Sequence, residues 1–486
     1  MSNKKYLLSF VLLLLIISQT LSLRLLSESS AFDGVTIQKS FKELKNHNPC
    51  MSQKFSADPG VMLYNDRIYV YSTNDGYLQD NTPEQNNYGK INQINVMSSD
   101  DLVNWSDHGS INVAGSDGIA KWAGNSWAPT AAHKKINNKE KFFLYFANNA
   151  NGIGVLTSNT PTGPWTDPLG QPLISRQTNN CNVQWLFDPA VLVDDDGSGY
   201  LYFGGGVPSG QNENPGTIRA VKLGNDMISL DGDVVEIDAP WVFEDSGIHK
   251  KNNIYYYSYC TNWAGGTYGS ARIAYMTSQN PLGPFTMKNA CFENPGVSFG
   301  TYGNNHHTII EYKNKLYIFY HAEWLNKLAY GSQLGYRTTH VDEMPENGDE
   351  LGLTKGTETG VTQIQNFDPY TLNRFNTMAW QAGVNIYGLG DTSAAFNKGD
   401  WIGVSKVDFG EGAKSIVVNG GSVNGAVIKV CVGNPSNEAI GYVSIPATGD
   451  NWSFTDVEVS ISGLRGVQDL FFVASDDVLL NSYEFK

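Results

Sequence analysis

Four short stretches of this chain open with an ionisable residue just ahead of an aromatic-rich hairpin. They are Asp58-Pro59 before RIYVYST, Asp188-Pro189 before GYLYFGG, Glu244-Asp245 before NIYYYSY, and His306-His307 before KLYIFYH. A fifth, Trp127-Ala128-Pro129 before KFFLYFA, carries tryptophan at that point. From the charged residue to the first tyrosine of the second run the offset is 11 for Asp58 to Tyr69, Glu244 to Tyr255 and His306 to Tyr317, and 12 for Asp188 to Tyr200. Grouped carboxylates are the equipment of glycoside hydrolysis: one is protonated to donate to the leaving oxygen, another ionised to activate water or attack. The local settings differ. Asp58, in FSADPG, has small neighbours that leave access. Glu244 follows APWVF, apolar surroundings that raise a carboxyl pKa as a general acid requires. Asp188 follows WLF and is placed to tune or orient that acid.

These residues act together only if the hairpins that carry them converge. Radial repetition does this, because the innermost strand of each propeller blade begins at the central axis. The second runs begin near residues 68, 142, 200, 254 and 316, with turn clusters such as YND, DDDGSG and YKNK between. Known propeller repeats of ~40–50 residues are close to that spacing. An all-β chain is predicted, with a five-bladed β-propeller over 46–355 rather than a sandwich. A polar Gly/Thr-rich linker is expected over 356–367, and a β-sandwich (jelly roll) over 368–486, where SIVVNGG, AVIKVCV and DLFFVAS alternate.

Aromatic residues at 12% and 50 glycines suit a turn-rich β protein with aromatic surfaces or cores. A net charge of −15 argues against nucleic acid and anionic membranes as partners and fits a neutral polymer. Residues 1–22, with Lys4 and Lys5 ahead of YLLSFVLLLLII, read as a secretory signal, followed by a polar lead-in over 23–45. A secreted, extracellular protein is expected. The five cysteines lack CxxC spacing, which argues against zinc, and an odd number leaves at least one unpaired within the chain. Asn104-Trp105-Ser106 and Asn451-Trp452-Ser453 are N-glycosylation sequons. Asp194-Asp195-Asp196 reads as a turn at a hairpin tip rather than a calcium loop, and Asp245 as solvated or structural.

The motifs DPGVMLYNDRIYVYST, NSWAPT, FDPAVLVDDDGSGYLYFGG, FEDSGIHKKNNIYYYSY and GNNHHTIIEYKNKLYIFYH resemble the successive blades of glycoside hydrolase family 43. The resemblance implies inverting hydrolysis of arabinofuranosyl or xylosyl linkages. It makes Asp58 the general base, Glu244 the general acid and Asp188 the residue that modulates and orients the acid. It places His306 near substrate or a central calcium, gives Arg337 to sugar hydroxyls and puts Trp127 on the pocket wall. The C-terminal stretches MAWQAGV, NKGDWIGVSKVDFGEGAKSI and GLRGVQDLFFVAS resemble a family 6 carbohydrate-binding module, whose sugar site would fall on Asn481, Phe396 and Trp452. The expected activity is α-L-arabinofuranosidase on arabinoxylan, with β-xylosidase (or both), endo-arabinanase and a non-catalytic sugar-binding propeller as alternatives. No cofactor is expected beyond a structural calcium, and a monomer acting on plant cell-wall polysaccharide is the expected state.

Overall fold

The second strand of each hairpin is apolar on both faces because both faces are covered. In Lys139–Ala147, Phe142, Leu144 and Phe146 turn toward a core shared with Tyr71, Ile94 and Trp165, while Phe143 and Tyr145 turn toward one shared with Leu201 and Phe203. Tyr202 meets Tyr257 and Tyr259 in the next core, and Tyr256 meets Ile318 and Tyr320 in the one after. Trp105 closes the ring edge-on against Phe319 at 6.1 Å. Each sheet is thus packed between two neighbours, which is why the period-2 alternation is masked by a continuous apolar run.

The computed structural model describes residues 28–79 and 81–486, and the signal expected over 1–22 lies outside them. The chain forms two compact units: residues 41–365 with 388–392, and residues 28–40 with 366–387 and 393–486. The first is the five-bladed propeller. Its innermost strands are Lys54–Tyr64, Trp127–Ile136, Ala190–Val193, Val242–Lys251 and His307–Tyr312, each antiparallel to the strand that follows it. They neighbour one another around a closed ring. Approach at the axis is close: a Cβ on Gly60 would lie 2.0 Å from the Pro129 carbonyl of the next blade. The fifth blade has three strands, ending in Thr338–Met344, and residues 48–56 run along it through Cys50 N–H to Thr339 O and Ser56 N–H to Arg337 O.

Half of the described tyrosines are core residues. The buried hydroxyls of Tyr71, Tyr145, Tyr202 and Tyr259 donate to the carbonyls of Pro161, Met227, Pro281 and Pro240 at 2.6–2.7 Å. An unmade bond at such a group would cost ~1–3 kcal/mol. In the acidic turn Asp194 and Asp195 both pair with Lys250. All five cysteines are buried and free. Asn104 is buried against Asp101, so this sequon is not open to an enzyme in the folded state.

The stretch expected as a linker is tied down. Thr357 Oγ1 donates to Asp342, Asn48 Nδ2 donates to the Thr357 carbonyl at 2.8 Å, and Gln363 reaches Asp101. These threonine and amide side chains satisfy polar groups of the propeller, and residues 354–365 belong to that unit. The second unit is a sandwich. One sheet runs Trp380–Ala382, Trp401–Asp408, Val467–Ala474, Ala426–Val432, Gly441–Ile445, and the other is built on Val478–Phe485 and Ser415–Gly421. Phe375, Val404, Phe472, Tyr483 and Phe485 fill the space between. Part of the lead-in is a strap on this unit: Phe32 packs on Tyr442 at 6.0 Å and Trp401 Nε1 donates to the Gln38 carbonyl.

Candidate active site

At the start of four innermost strands the backbone turns left-handed. Asp58 (φ 50°), Ala128 (41°), Asp188 (48°) and Asp245 (69°) all hold positive φ, and in three of the four strands the ladder slips register at this point. Proline follows in three cases. Non-glycine residues in this region store strain, and bulges next to active sites re-aim side chains. Here they turn Asp58, Asp188, Trp127 and Glu244 into one cavity of about 240 Å³, lined also by Tyr88, Ile91, Phe187, Phe243, Asn304, His306 and Arg337. All six propeller residues singled out from the sequence line it.

The two principal carboxylates have opposite surroundings. Asp58 Oδ1 accepts from Arg337 Nη1 at 2.8 Å and Oδ2 from Thr73 Oγ1 at 2.7 Å. Thr73 is itself pinned by accepting the Ala128 N–H. Burial alone would raise this carboxyl, but the Arg337 guanidinium, the bond with His321 and the facing His306 hold it well below the usual carboxylate range. Asp58 is ionised. Glu244 is buried, with Oε1 lacking any partner, and its one side-chain bond is to Asn304. Burial first, then the charges of Asp58 and Asp245, push Glu244 up to about 8. Asp188 is pushed upward as well, by burial and by Glu244, against the Asp245 N–H that donates to its Oδ2 at 3.2 Å. Glu244 and Asp188 therefore titrate as one system that retains a proton at neutral pH.

Arg337 departs from the expected role. Its Nε and Nη2 grip Asp75 in a two-point pair at 2.8 and 2.9 Å, and Nη1 holds Asp58. Three of the five N–H donors of a guanidinium are thus committed to carboxylates, so it serves first as the counter-ion of Asp58 and Asp75. Its plane lies over the Tyr88 ring at 4.7 Å, and the carbonyl of that tyrosine takes the Trp127 indole N–H. Asp75, Tyr88, Asn304 and His321 were not singled out from the sequence. His321 ends the quoted run KLYIFYH, and Asn304 lies within GNNHH; Tyr88 carries no local signal at all.

His306 stands at the foot of the cavity. Its Nδ1 lies 3.7 Å from Asp58 and 3.6 Å from Asp188, and its Nε2 lies 3.2 Å from Asp245. Asp245 is buried and bonded to His307, so it is structural rather than solvated. A calcium ion takes six to eight oxygen ligands. The axis instead presents an imidazole wedged between carboxylates, and among the described residues no three His, Cys, Asp or Glu side chains are disposed to hold a metal.

In the sandwich unit the three expected sugar contacts part ways. Phe396 is 2% exposed and packs edge-on against Phe375 in the core, so it cannot stack on a sugar. The apolar-to-core rule outweighs a one-residue likeness to a binding motif. Asn481 is half-buried, its amide donating to Ser393 and its oxygen bonded by Arg374. Trp452 is 62% exposed on a loop that Asp450 fixes by accepting the N–H groups of Trp452 and Ser453.

The profile of the Glycosyl hydrolases family 43 matches residues 47–350, and that of the Carbohydrate binding module (family 6) matches residues 376–486. The chain is 45% identical over 456 residues to an arabinoxylan arabinofuranohydrolase of Paenibacillus polymyxa, covering 88% of this chain and 72% of that one. It is 42% identical over 498 residues to an arabinoxylan arabinofuranohydrolase of Bacillus subtilis (strain 168), covering 96% of each. A crystal structure of a family 43 arabinoxylan arabinofuranohydrolase from Bacillus subtilis in complex with cellotetraose superposes with a TM-score of 0.88 at 42% identity, covering 92% of this chain and 99% of that one.

Proposed function

We propose that this chain, which belongs to glycosyl hydrolase family 43 and carries a family 6 carbohydrate-binding module, removes single α-L-arabinofuranosyl residues from arabinoxylan. It is a glycoside hydrolase. The observation that carries the mechanism is the opposed protonation of two carboxyls in one cavity, Asp58 ionised and Glu244 protonated. Glu244 gives its proton to the glycosidic oxygen as that bond breaks. Asp58 takes a proton from the water that attacks the anomeric carbon from the other side, and the released sugar has inverted configuration. Asp188 shares the acid's proton and orients it. Trp127, Phe187 and Phe243 form the apolar wall, and no step draws on a cofactor. A cavity of about 240 Å³ falls below the ~300–1,000 Å³ of drug-sized ligand sites, which supports one sugar ring entering end-on over an endo-acting groove. Trp452, presented on its fixed loop, is the stacking face we assign to the module. The leader pattern over 1–22 supports action outside the cell.

Product analysis on wheat arabinoxylan, linear arabinan and xylobiose in parallel tests the substrate. Arabinose from the first is expected; xylose from xylobiose alone would make the protein a xylosidase. Proton NMR of the first product tests the chemistry, and a retained anomer would place it in the double-displacement class.

A further inference from the structure

The fourth blade carries two acidic residues where the first and third carry one, and the register shows which is equivalent to which. Gly60 pairs with Tyr71 and Gly247 with Ser258, so Asp58 and Asp245 each stand two residues ahead of a matched pair. Asp245, not Glu244, occupies the axial left-handed position. Glu244 is the residue before it, carried into the cavity by the bulge that Asp245 makes.

Asp245 is held through its side chain by His307 and through its backbone by Asp188. Its Oδ2 accepts the His307 backbone N–H at 3.0 Å and is bonded to His307 Nδ1 as well. Burial keeps the His307 ring neutral, with its pKa down to about 3, so Nδ1 carries the hydrogen toward Asp245 and Nε2 accepts Ser258 Oγ–H at 2.7 Å. The other oxygen, Oδ1, faces His306 Nε2 at 3.2 Å as an ion-pair contact without a hydrogen bond. Its own N–H donates to Asp188. Ser258, His307 and Asp245 have the order of a nucleophilic triad, but all three are 0% exposed, and no substrate could reach the serine. Packing is tight enough that a Cβ on Gly247 would lie 2.5 Å from Ser258 Oγ and 2.8 Å from His307 Nε2.

We propose that Asp245 is a positioning residue for the hydrolysis: clamped by His307 and Ser258, it fixes the bulge that aims Glu244, anchors Asp188 through its N–H, and keeps His306 against Asp58 and Asp188. The inference rests on Glu244 being the acid. Its charge also bears on that acid. The ionisable groups facing it are Glu244 on its own strand, Asp188 and Asp58 from the third and first blades, and His306, His307 and His321 from the fifth. Tyr257 and Cys260, on the adjacent strand, are pushed upward by burial and stay neutral. Burial raises Asp245 itself to about 7, so it is negative above that pH, where its charge opposes ionisation of Glu244.

The test compares Asp245→Asn, Ser258→Ala and Glu244→Ala on arabinoxylan and on 4-nitrophenyl α-L-arabinofuranoside, whose leaving group needs little protonation. Asp245→Asn is expected to lower kcat on arabinoxylan at least about tenfold, with a smaller loss on the aryl glycoside and KM within roughly twofold. The alkaline limb of its pH–rate profile should move to lower pH by about half a unit or more. Ser258→Ala leaves His307 Nε2 unpaired and loosens only the outer end of the clamp, so the same limb should move in the same direction by less. An unmoved limb in both variants, with equal losses on both substrates, overturns the proposal. Should Asp245→Asn not fold, the limb of Ser258→Ala decides alone. Equal losses for Glu244→Ala on the two substrates would sink the acid assignment, and this inference with it; a substrate-dependent loss there beside an unmoved limb in the other variants sinks only the inference.

Discussion

Replacing Arg337 with methionine separates its two possible roles. Methionine keeps an unbranched apolar stem and loses the guanidinium with its charge, so Asp58 stays buried but is left with the bond from Thr73 and its two histidine neighbours. With charge centres about 4 Å apart and an effective dielectric near 20, one such pair is worth ~4 kcal/mol. At ~1.4 kcal/mol per unit this is about three pKa units. Asp75, freed from its two-point grip, adds a second buried negative charge that pushes the same way. Water entering the vacated space screens part of the effect, leaving a rise on the order of two to three units. The base of the wild-type enzyme is held far down, so the acidic limb of kcat/KM lies at low pH; in Arg337→Met it should climb into or above the ordinary carboxylate range. Arg337→Lys, which keeps the charge without the two-point geometry, should move it less. The assay is kcat/KM on an aryl arabinofuranoside between pH 3 and 9, with folding checked at each end. Leaving Asp75 unpaired costs ~3–5 kcal/mol of stability. Arg337→Met/Asp75→Asn should recover much of that loss and return the limb only by the share that the Asp75 charge contributed. An acidic limb that stays in place while KM rises would refute the reasoning and return Arg337 to sugar binding alone.

Three further outcomes are expected. Asp188→Asn removes the partner whose charge resists loss of the second proton of the pair, so the alkaline limb should shift to lower pH while the acidic limb moves less; activity falling with both limbs fixed would make Asp188 a substrate ligand. Glu244, at about 8 in the folded protein and ~4.3 unfolded, holds a proton that the unfolded chain releases, so the stability it contributes is fully present below pH ~4 and is lost as pH rises toward 8. Glu244→Gln should abolish that decline and be the more stable protein in urea at pH 8 by a few kcal/mol, a gain reduced where Asp188 shares the proton, with little difference at pH 4. Phe396→Ala should destabilise the sandwich unit by ~3–5 kcal/mol, whereas Trp452→Ala should leave folding intact and lower retention on insoluble arabinoxylan.

The propeller was legible because its signal is local and repeated: an aromatic run covered on both faces looks the same in every blade, and a turn cluster ends each hairpin. Asp58, Asp188, Trp127 and His306 could be found for the same reason, since each lies at or one step before a blade's axial position. Glu244 was found with its register wrong by one residue. Adjacent acids in a chain give no sign of which one takes the left-handed backbone, and that choice depends on His307 and Ser258, which reach Asp245 from another blade and another strand. Arg337 illustrates a second limit. Its partners are Asp58 and Asp75, both more than 260 positions away, and no local pattern announces a pairing of that range. Phe396 was misplaced because a motif likeness outweighed the plainer fact that a phenylalanine on a strand beside Val478–Phe485 faces the sandwich core.

One physical requirement links these cases. A water-activating base must be ionised and a proton donor neutral within the same small cavity, and burial alone drives every carboxyl toward the neutral form. The difference must come from where the single guanidinium is placed. Asp75 holds Arg337 on the first-blade side, next to Asp58. Glu244 makes no hydrogen bond to that guanidinium, feels its charge less than burial and the nearby carboxylates, and keeps an oxygen with no partner. The asymmetry of the chemistry is therefore written less in the catalytic carboxyls, which are alike, than in the buried acid that decides where the one strong cation points.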